Sequence, residues 1–261
     1  MTTMASPPLD VKLMNLTAIA LMAIFAVLAM GWAARAVSRL PVFDIKAIAV
    51  HGDVNHSNAV TLRAHVASRL NGSFFSMDLA RVRAAFEAVP WVRHAVVRRG
   101  FPNRLHVDLQ EHVAVAYWGG ESQSSLINSF GEVFEANVGE VEQDMLPRLD
   151  GPEEQSAEVL AMYRAIEPLF DSVELPVDQL ELSARGSWRV KLDTGAVVEL
   201  GRGNLTEVTE RTRRFLKTLT QVTSRYERRV SALESADLRH ENGYAIRLRG
   251  VSTVAAVASK K

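Results

Sequence analysis

The sequence predicts an α+β protein: a single N-terminal transmembrane helix, a first domain of order β-α-α-β-β, and then a mixed β-sheet domain with flanking helices. Three observations carry this. One uncharged run of membrane-spanning length lies near the start. After it, apolar residues recur twice at helical spacing and then twice at strand spacing. Beyond residue 118, short alternating runs and turn residues are interrupted by two long amphipathic stretches.

The anchor comes first. Leu13 to Ala34 contains no charged residue, and as a helix it spans about 33 Å against a hydrocarbon core of about 30 Å. The expected transmembrane helix covers residues 13–37 and leaves residues 1–12 as a short polar tail. Trp32 falls at one interface, and Lys12, Arg35 and Arg39 flank the ends. A cleaved signal peptide is the rival reading. Its apolar core usually runs only about 7–15 residues, and the small-x-small site Ala34-Arg35-Ala36 carries an arginine. Charge counting leaves orientation open. A short tail before the anchor and a long body after it suggest a cytoplasmic tail and an exported body.

The body opens with a strand, Phe43–Val50, and a turn at His51-Gly52-Asp53. Ser57 caps a helix to about Leu70, with Val60, Ala64, Ala67 and Leu70 as its stripe. Asp78 caps a second helix, where Leu79, Val82, Phe86 and Val89 share a face until Pro90 stops it. Val92–Arg99 is a strand, Gly100-Phe101-Pro102-Asn103 a turn, and Arg104–Tyr117 one long strand. In the latter, Leu105, Val107, Leu109, Val113, Val115 and Tyr117 take one parity, and Arg104, His106, Asp108, Gln110 and His112 the other. This basic hairpin reads as a solvated sheet face interrupted by Asp108 and Glu111. Partner contact and nucleic acid are its rivals.

Residues 119–125 form a loop. A small hairpin spans 126–134, and acidic, turn-rich sequence follows. A helix runs from about Glu153 to Glu167, with Val159, Met162, Tyr163 and Ile166 inside. Val177–Ala184 is a strand, and Ser187–Leu192 with Ala196–Leu200 forms a hairpin. Asn204 and Glu207 start a helix as a capping box, with Leu205, Val208, Thr212, Phe215, Leu219 and Val222 along its stripe. Residues 230–239 are a strand, Asn242-Gly243 is a hairpin turn, and Tyr244, Ile246 and Leu248 alternate in the last strand.

Composition excludes several functions. Thirty basic residues balance thirty acidic ones, so no excess cation holds a polyanion, and the absence of cysteine removes disulfides and thiol chemistry. The seven histidines show no paired ligand spacing and read as surface residues. Gly201-Arg202-Gly203 imitates a dinucleotide loop but lacks its third glycine, so it reads as a strand-to-helix turn. There is no P-loop and no GxSxG elbow.

The order Gly52, Phe75, Asp78-Leu79, Pro90-Trp91-Val92, Ala95, Val97, Arg99, Pro102, Leu105, Val107, Glu111 and Ala116–Trp118 resembles a POTRA domain, in particular that of the FtsQ/DivIB family of bacterial division proteins. Gly131-x-Val133-Phe134, Leu200–Gly203, Asp237–Arg239 and Asn242-Gly243 fall where that family places such motifs. The resemblance covers nearly all of the chain after residue 12. Phe101 stands where the family often has Trp, and Val113 where it often has Pro. On this basis the POTRA domain covers 43–118, a β domain covers 119–250, and 251–261 is a disordered tail.

The resemblance implies a non-enzymatic scaffold without a cofactor. It would be single-pass in the inner membrane, with a cytoplasmic N-terminus and a periplasmic body at the septum. It would link early and late division proteins and bind FtsB and FtsL, with FtsB adding a strand to the open final edge. The implied contact residues are Arg185, Arg239, Asn242, Gly243, Tyr244, Ile246 and Leu248, and Leu248 replaces an aromatic of some relatives. Taken alone, Asn242-Gly243 is an ordinary hairpin turn. The alternative is a periplasmic POTRA chaperone-type module for outer-membrane assembly, although only one POTRA unit and no barrel-like strand series can be read. A membrane-anchored enzyme and a nucleic-acid binder are the remaining rivals.

Overall fold

The computed structural model describes residues 9–52, 55–56, 62, 66, 73–120, 125–137, 139, 146–240 and 243–251. The chain divides into two units, Met1–Glu111 and His112–Lys261. The expected POTRA helix from Ser57 lies outside the described residues except at Leu62 and Val66. Both of these are buried, and neither belongs to the expected stripe. The tail beyond Val251 is likewise outside them.

In the first unit, helix α1 (Leu9–Val37) starts four residues before the apolar run. It is apolar all round, its large side chains are exposed, and Leu13–Val37 is long and apolar enough to cross a membrane. A 3-10 turn (Pro41–Phe43) replaces the start of the expected strand, because Asp44 N–H closes onto the Pro41 carbonyl at 3.3 Å. Strand β1 (Ala47–Gly52) then pairs in parallel with β3 (Arg104–Glu111), which pairs antiparallel with β2 (Val92–Gly100). The sheet order is β1-β3-β2. His51-Gly52 is therefore strand and not turn. Gly52 sits opposite Leu109 at φ 102°, where an added Cβ would lie 2.1 Å from the Leu109 carbonyl oxygen, so only glycine fits.

Helix α2 (Leu79–Glu87) is capped as expected, with Asp78 accepting from the N–H groups of Ala80 and Arg81. Val82, Phe86 and Val89 close over Ala95, Leu105, Val107 and Leu109 to form this unit's core. Glu111 continues the buried parity of β3 and is only 5% exposed, so it does not interrupt the wet face. It accepts from the N–H groups of Asn55 at 2.9 Å and His56 at 3.0 Å.

The strand expected from Arg104 to Tyr117 is in fact two. It breaks at His112-Val113, and β4 (Ala114–Trp118) belongs to the nine-stranded sheet of the second unit. The break is held from outside: Ser129 N–H donates to the Val113 carbonyl, and the His112 ring stacks on Phe134 at 4.1 Å. The remaining strands are β5 (Ser125–Asn128), β6 (Val133–Glu135), β7 (Arg148–Asp150), β8 (Val177–Leu182), β9 (Ser187–Leu192), β10 (Val197–Arg202), β11 (Leu233–Asp237) and β12 (Ala245–Leu248). Their order is β12-β11-β10-β9-β8-β7-β4-β5-β6.

Two helices cover one face: α3 (Ser156–Asp171) lies on β7 and β8, and α4 (Leu205–Arg225) on β10, each touching the other. α3 continues past Pro168, its last turn held by fully buried Phe170. The capping box of α4 is present, with Asn204 and Glu207 exchanging backbone-to-side-chain bonds at 3.1 and 3.0 Å. Val208, Thr212, Phe215 and Leu219 are buried as expected, whereas Leu205 in the first turn is exposed. The opposite face carries cross-strand ion pairs, with Arg189 between Glu199 and Glu181 on its two neighbouring strands.

Candidate partner-binding site

β12 is a four-residue strand at one end of the nine-stranded sheet, paired only with β11 among the described residues. The direction of its backbone groups follows from two hydrogen bonds. Arg249 N–H donates to the Ala232 carbonyl at 2.8 Å, so the alternate residues Arg247 and Ala245 also face β11. Leu238 N–H donates to the Glu199 carbonyl at 2.8 Å, so Leu238 and Ala236 face β10, and Ser235 and Asp237 face β12, opposite Arg247 and Ala245. The N–H and C=O of Ile246 and Leu248 therefore point outward along the edge, available to another strand. The side chain of Ile246 is half-buried and that of Leu248 is buried, both against the unit's own core. Leu248 thus offers an edge its backbone and not its side chain.

β11 and β12 are antiparallel neighbours, and the hairpin turn expected at Asn242-Gly243 lies in the link between them, partly outside the described residues. Asp237 pairs with Ala245, and residues 238–244 lie between the strands, because Leu238 stays on β10 with its side chain in the core. Gly243 is exposed with open space around it, and Asn242 lies outside the described residues. Tyr244 stacks edge-on against Phe215 at 5.0 Å, and its hydroxyl is 2.7 Å from that of Thr218.

Two adjoining clefts gather the other residues. One, of about 620 Å³, is lined by Arg185, Arg189, Arg202, Arg211 and Arg239 with Glu181 and Glu199. The second, of about 560 Å³, joins Arg211 and Arg239 to His240, Gly243 and Tyr244. Arg239 therefore connects Arg185 to the β12 approach. It also donates Nε and Nη2 to Asp237 at 2.9 and 2.6 Å, and that pairing lowers the Asp237 carboxyl from 3.8 to about 2. Arg189 is engaged by Glu199 and Glu181, and Arg211 is held by the carbonyls of Leu200 and Arg202. Arg185 and Arg202 form no ion pair among the described residues. The cleft is left with net positive charge.

Gly201, at φ 82° in a β-bulge, lets the Arg211 and Arg239 side chains approach: an added Cβ would sit 3.2 and 3.1 Å from them. Arg202 and Arg211 were not expected as site residues. Arg202 stands in the Leu200–Gly203 motif and reads as part of a strand-to-helix turn, and Arg211 carries no local signal because its partners, the Leu200 and Arg202 carbonyls, lie on another element.

No group of three or more metal-ligating side chains occurs among the described residues. Two of the histidines make ring contacts: His56 is exposed, as expected, and His112 is half-buried. His56 stacks on Trp91 at 3.9 Å, and His112 packs on Phe134.

Residues 43–112 match the family model for the POTRA domain, FtsQ-type, and residues 116–239 that for cell division protein FtsQ/DivIB, C-terminal. The chain is 40% identical over 243 residues to the cell division protein FtsQ of Burkholderia pseudomallei, covering 93% of this chain and 94% of that one. It belongs to the FtsQ family of cell division proteins. FtsQ of Thiomonas arsenitoxydans is 36% identical, over 94% of this chain and 89% of its own. FtsQ of Bordetella pertussis is 35% identical, over 92% of each. The C-terminal FtsQ model ends at Arg239, so β12 lies beyond it.

Proposed function

We propose that this FtsQ-family chain is a non-enzymatic scaffold of the division machinery. In this reading α1 crosses the inner membrane from a cytoplasmic tail, and the body lies in the periplasm at the septum. β12 accepts a strand from FtsB, with FtsL alongside. The observation that carries the reading is the outward N–H and C=O of Ile246 and Leu248 on an end strand. The arginine-rich cleft beside it supplies specificity, because its net positive charge suits a segment bearing carboxylates next to the added strand. No observation favours the outer-membrane chaperone alternative.

The test is a titration of the full chain in lipid nanodiscs with the periplasmic part of FtsB and FtsL. Ile246→Pro removes an outward donor and should abolish binding while the protein stays folded. Arg247→Pro removes a donor to β11 and should instead lower the melting temperature. A folded Ile246→Pro protein that still binds FtsB would exclude strand addition at this edge.

A further inference from the structure

We infer that the first unit lays an aromatic patch on the membrane surface next to its own anchor. The inference rests on the reading of α1 as a membrane span. Four phenylalanines from three separate segments converge just after that helix. Phe43 meets Phe75 at 4.9 Å and Phe101 at 6.4 Å, and Phe74 meets Phe75 at 5.2 Å and Phe101 at 5.9 Å. They do not form a buried core: Phe75 is 54% and Phe101 75% exposed, and Leu40 and Val42 beside them are also exposed. A contiguous exposed apolar cluster needs an occupant.

Its position identifies the occupant as the lipid bilayer. α1 ends at Val37, and the cluster is tied to the residues that follow at once. Ser73 Oγ donates to the Ser38 carbonyl at 3.3 Å, Phe74 N–H to the Phe43 carbonyl at 2.7 Å, and Lys46 N–H to the Asn103 carbonyl at 3.0 Å. The chain has too few residues between Val37 and Phe43 to carry the patch far from the interface. Arg39 and Lys46 are exposed in the same stretch, where lipid phosphates would meet them. Phenyl rings at the acyl boundary and cations at the headgroups form an interfacial contact that continues the span.

The chain has no cysteine, so single cysteines can carry a label cleanly. The full chain is reconstituted in vesicles of phosphatidylcholine and phosphatidylglycerol that are unbrominated, or that carry bromine either near the carbonyl end of the acyl chains, to reach position 76, or near their methyl end, to reach position 24 at the middle of the span. An environment-sensitive fluorophore is attached at Ile24→Cys in α1, at Ser76→Cys beside the patch, or at Gln110→Cys. Gln110 lies about 20 Å along β3 from Arg104, at the far end of the same sheet. Quenching at 24 and 76 and its absence at 110 is the expected result. Phe75→Ser with Phe101→Ser should then abolish the quenching at 76. Quenching at 24 without quenching at 76 overturns the inference and leaves the span intact. Absence of quenching at 24 overturns the span itself and the inference with it. A label at 76 shielded from aqueous quencher but untouched by bromolipid shows that a protein covers the patch, and this too overturns it. Unchanged quenching at 76 in the double variant shows that the phenyl groups do not make the contact.

Discussion

A single carboxylate shows how far one residue can depart from its sequence neighbourhood. Glu111 stands in a basic, solvent-facing hairpin, yet its parity is that of Leu105, Val107 and Leu109, and it is buried. Its oxygen takes up two backbone donors, those of Asn55 and His56. Glu111→Ala should therefore destabilise the first unit by about 1–3 kcal/mol, the cost of unpaired donors, read from the urea midpoint, with Glu111→Gln closer to the parent. At the edge of the second unit, Asp237 has a folded pKa depressed to about 2 by its hydrogen bonds to Arg239. The contribution of such a group is complete above the ordinary value of 3.8 and is lost only as pH falls through about 2. The contribution of Asp237 should therefore stay constant across the neutral range. Arg239→Gln should return the Asp237 titration toward 3.8, as seen by NMR, with little change in melting temperature, and on the proposed function it should weaken FtsB binding.

At the scale of elements, α4 has the clearest determinants. Asn204→Ala removes half of a reciprocal cap and should cost about 1 kcal/mol, measured by thermal unfolding. That helix was legible because cap and stripe are local. The hairpin β9–β10 and the capped start of α2 were legible for the same reason. Features set by distant partners were not. The break at His112-Val113 depends on Ser129 and Phe134, so periodicity ran straight through it. The strand character of His51-Gly52 depends on pairing with β3, although its glycine read locally as a turn. The start of β12 at Ala245 depends on β10, which claims Leu238 and leaves residues 238–244 to link the two strands. Alternation in the last strand could place Ile246 and Leu248 on one face. It could not say which edge their backbone groups address, because that requires the register of β10 and β11.

For the whole molecule, the decisive fact is that the two units have separate cores. Phe86 sits with Val82, Ala95, Leu105 and Val107 in the first, and Phe215 with Trp188, Leu200 and Leu219 in the second. Each unit also has a sheet of its own, of three and nine strands. Stability should then be partitioned. Phe86→Ala and Phe215→Ala each empty a fully buried site and should each cost about 3–5 kcal/mol. The loss should stay within one unit, because substitutions that share no partners act independently. Hydrogen exchange on the full chain reads this directly. Phe86→Ala should speed exchange in β2 and β3 and leave β8 to β10 as they are, and Phe215→Ala should do the reverse. This separation serves the proposed role. A load or a partner acting on the first unit need not loosen the sheet that presents β12, so the edge can keep its register while the anchored end responds to the membrane. Faster exchange across both sheets from either substitution would show a single cooperative body and remove that argument.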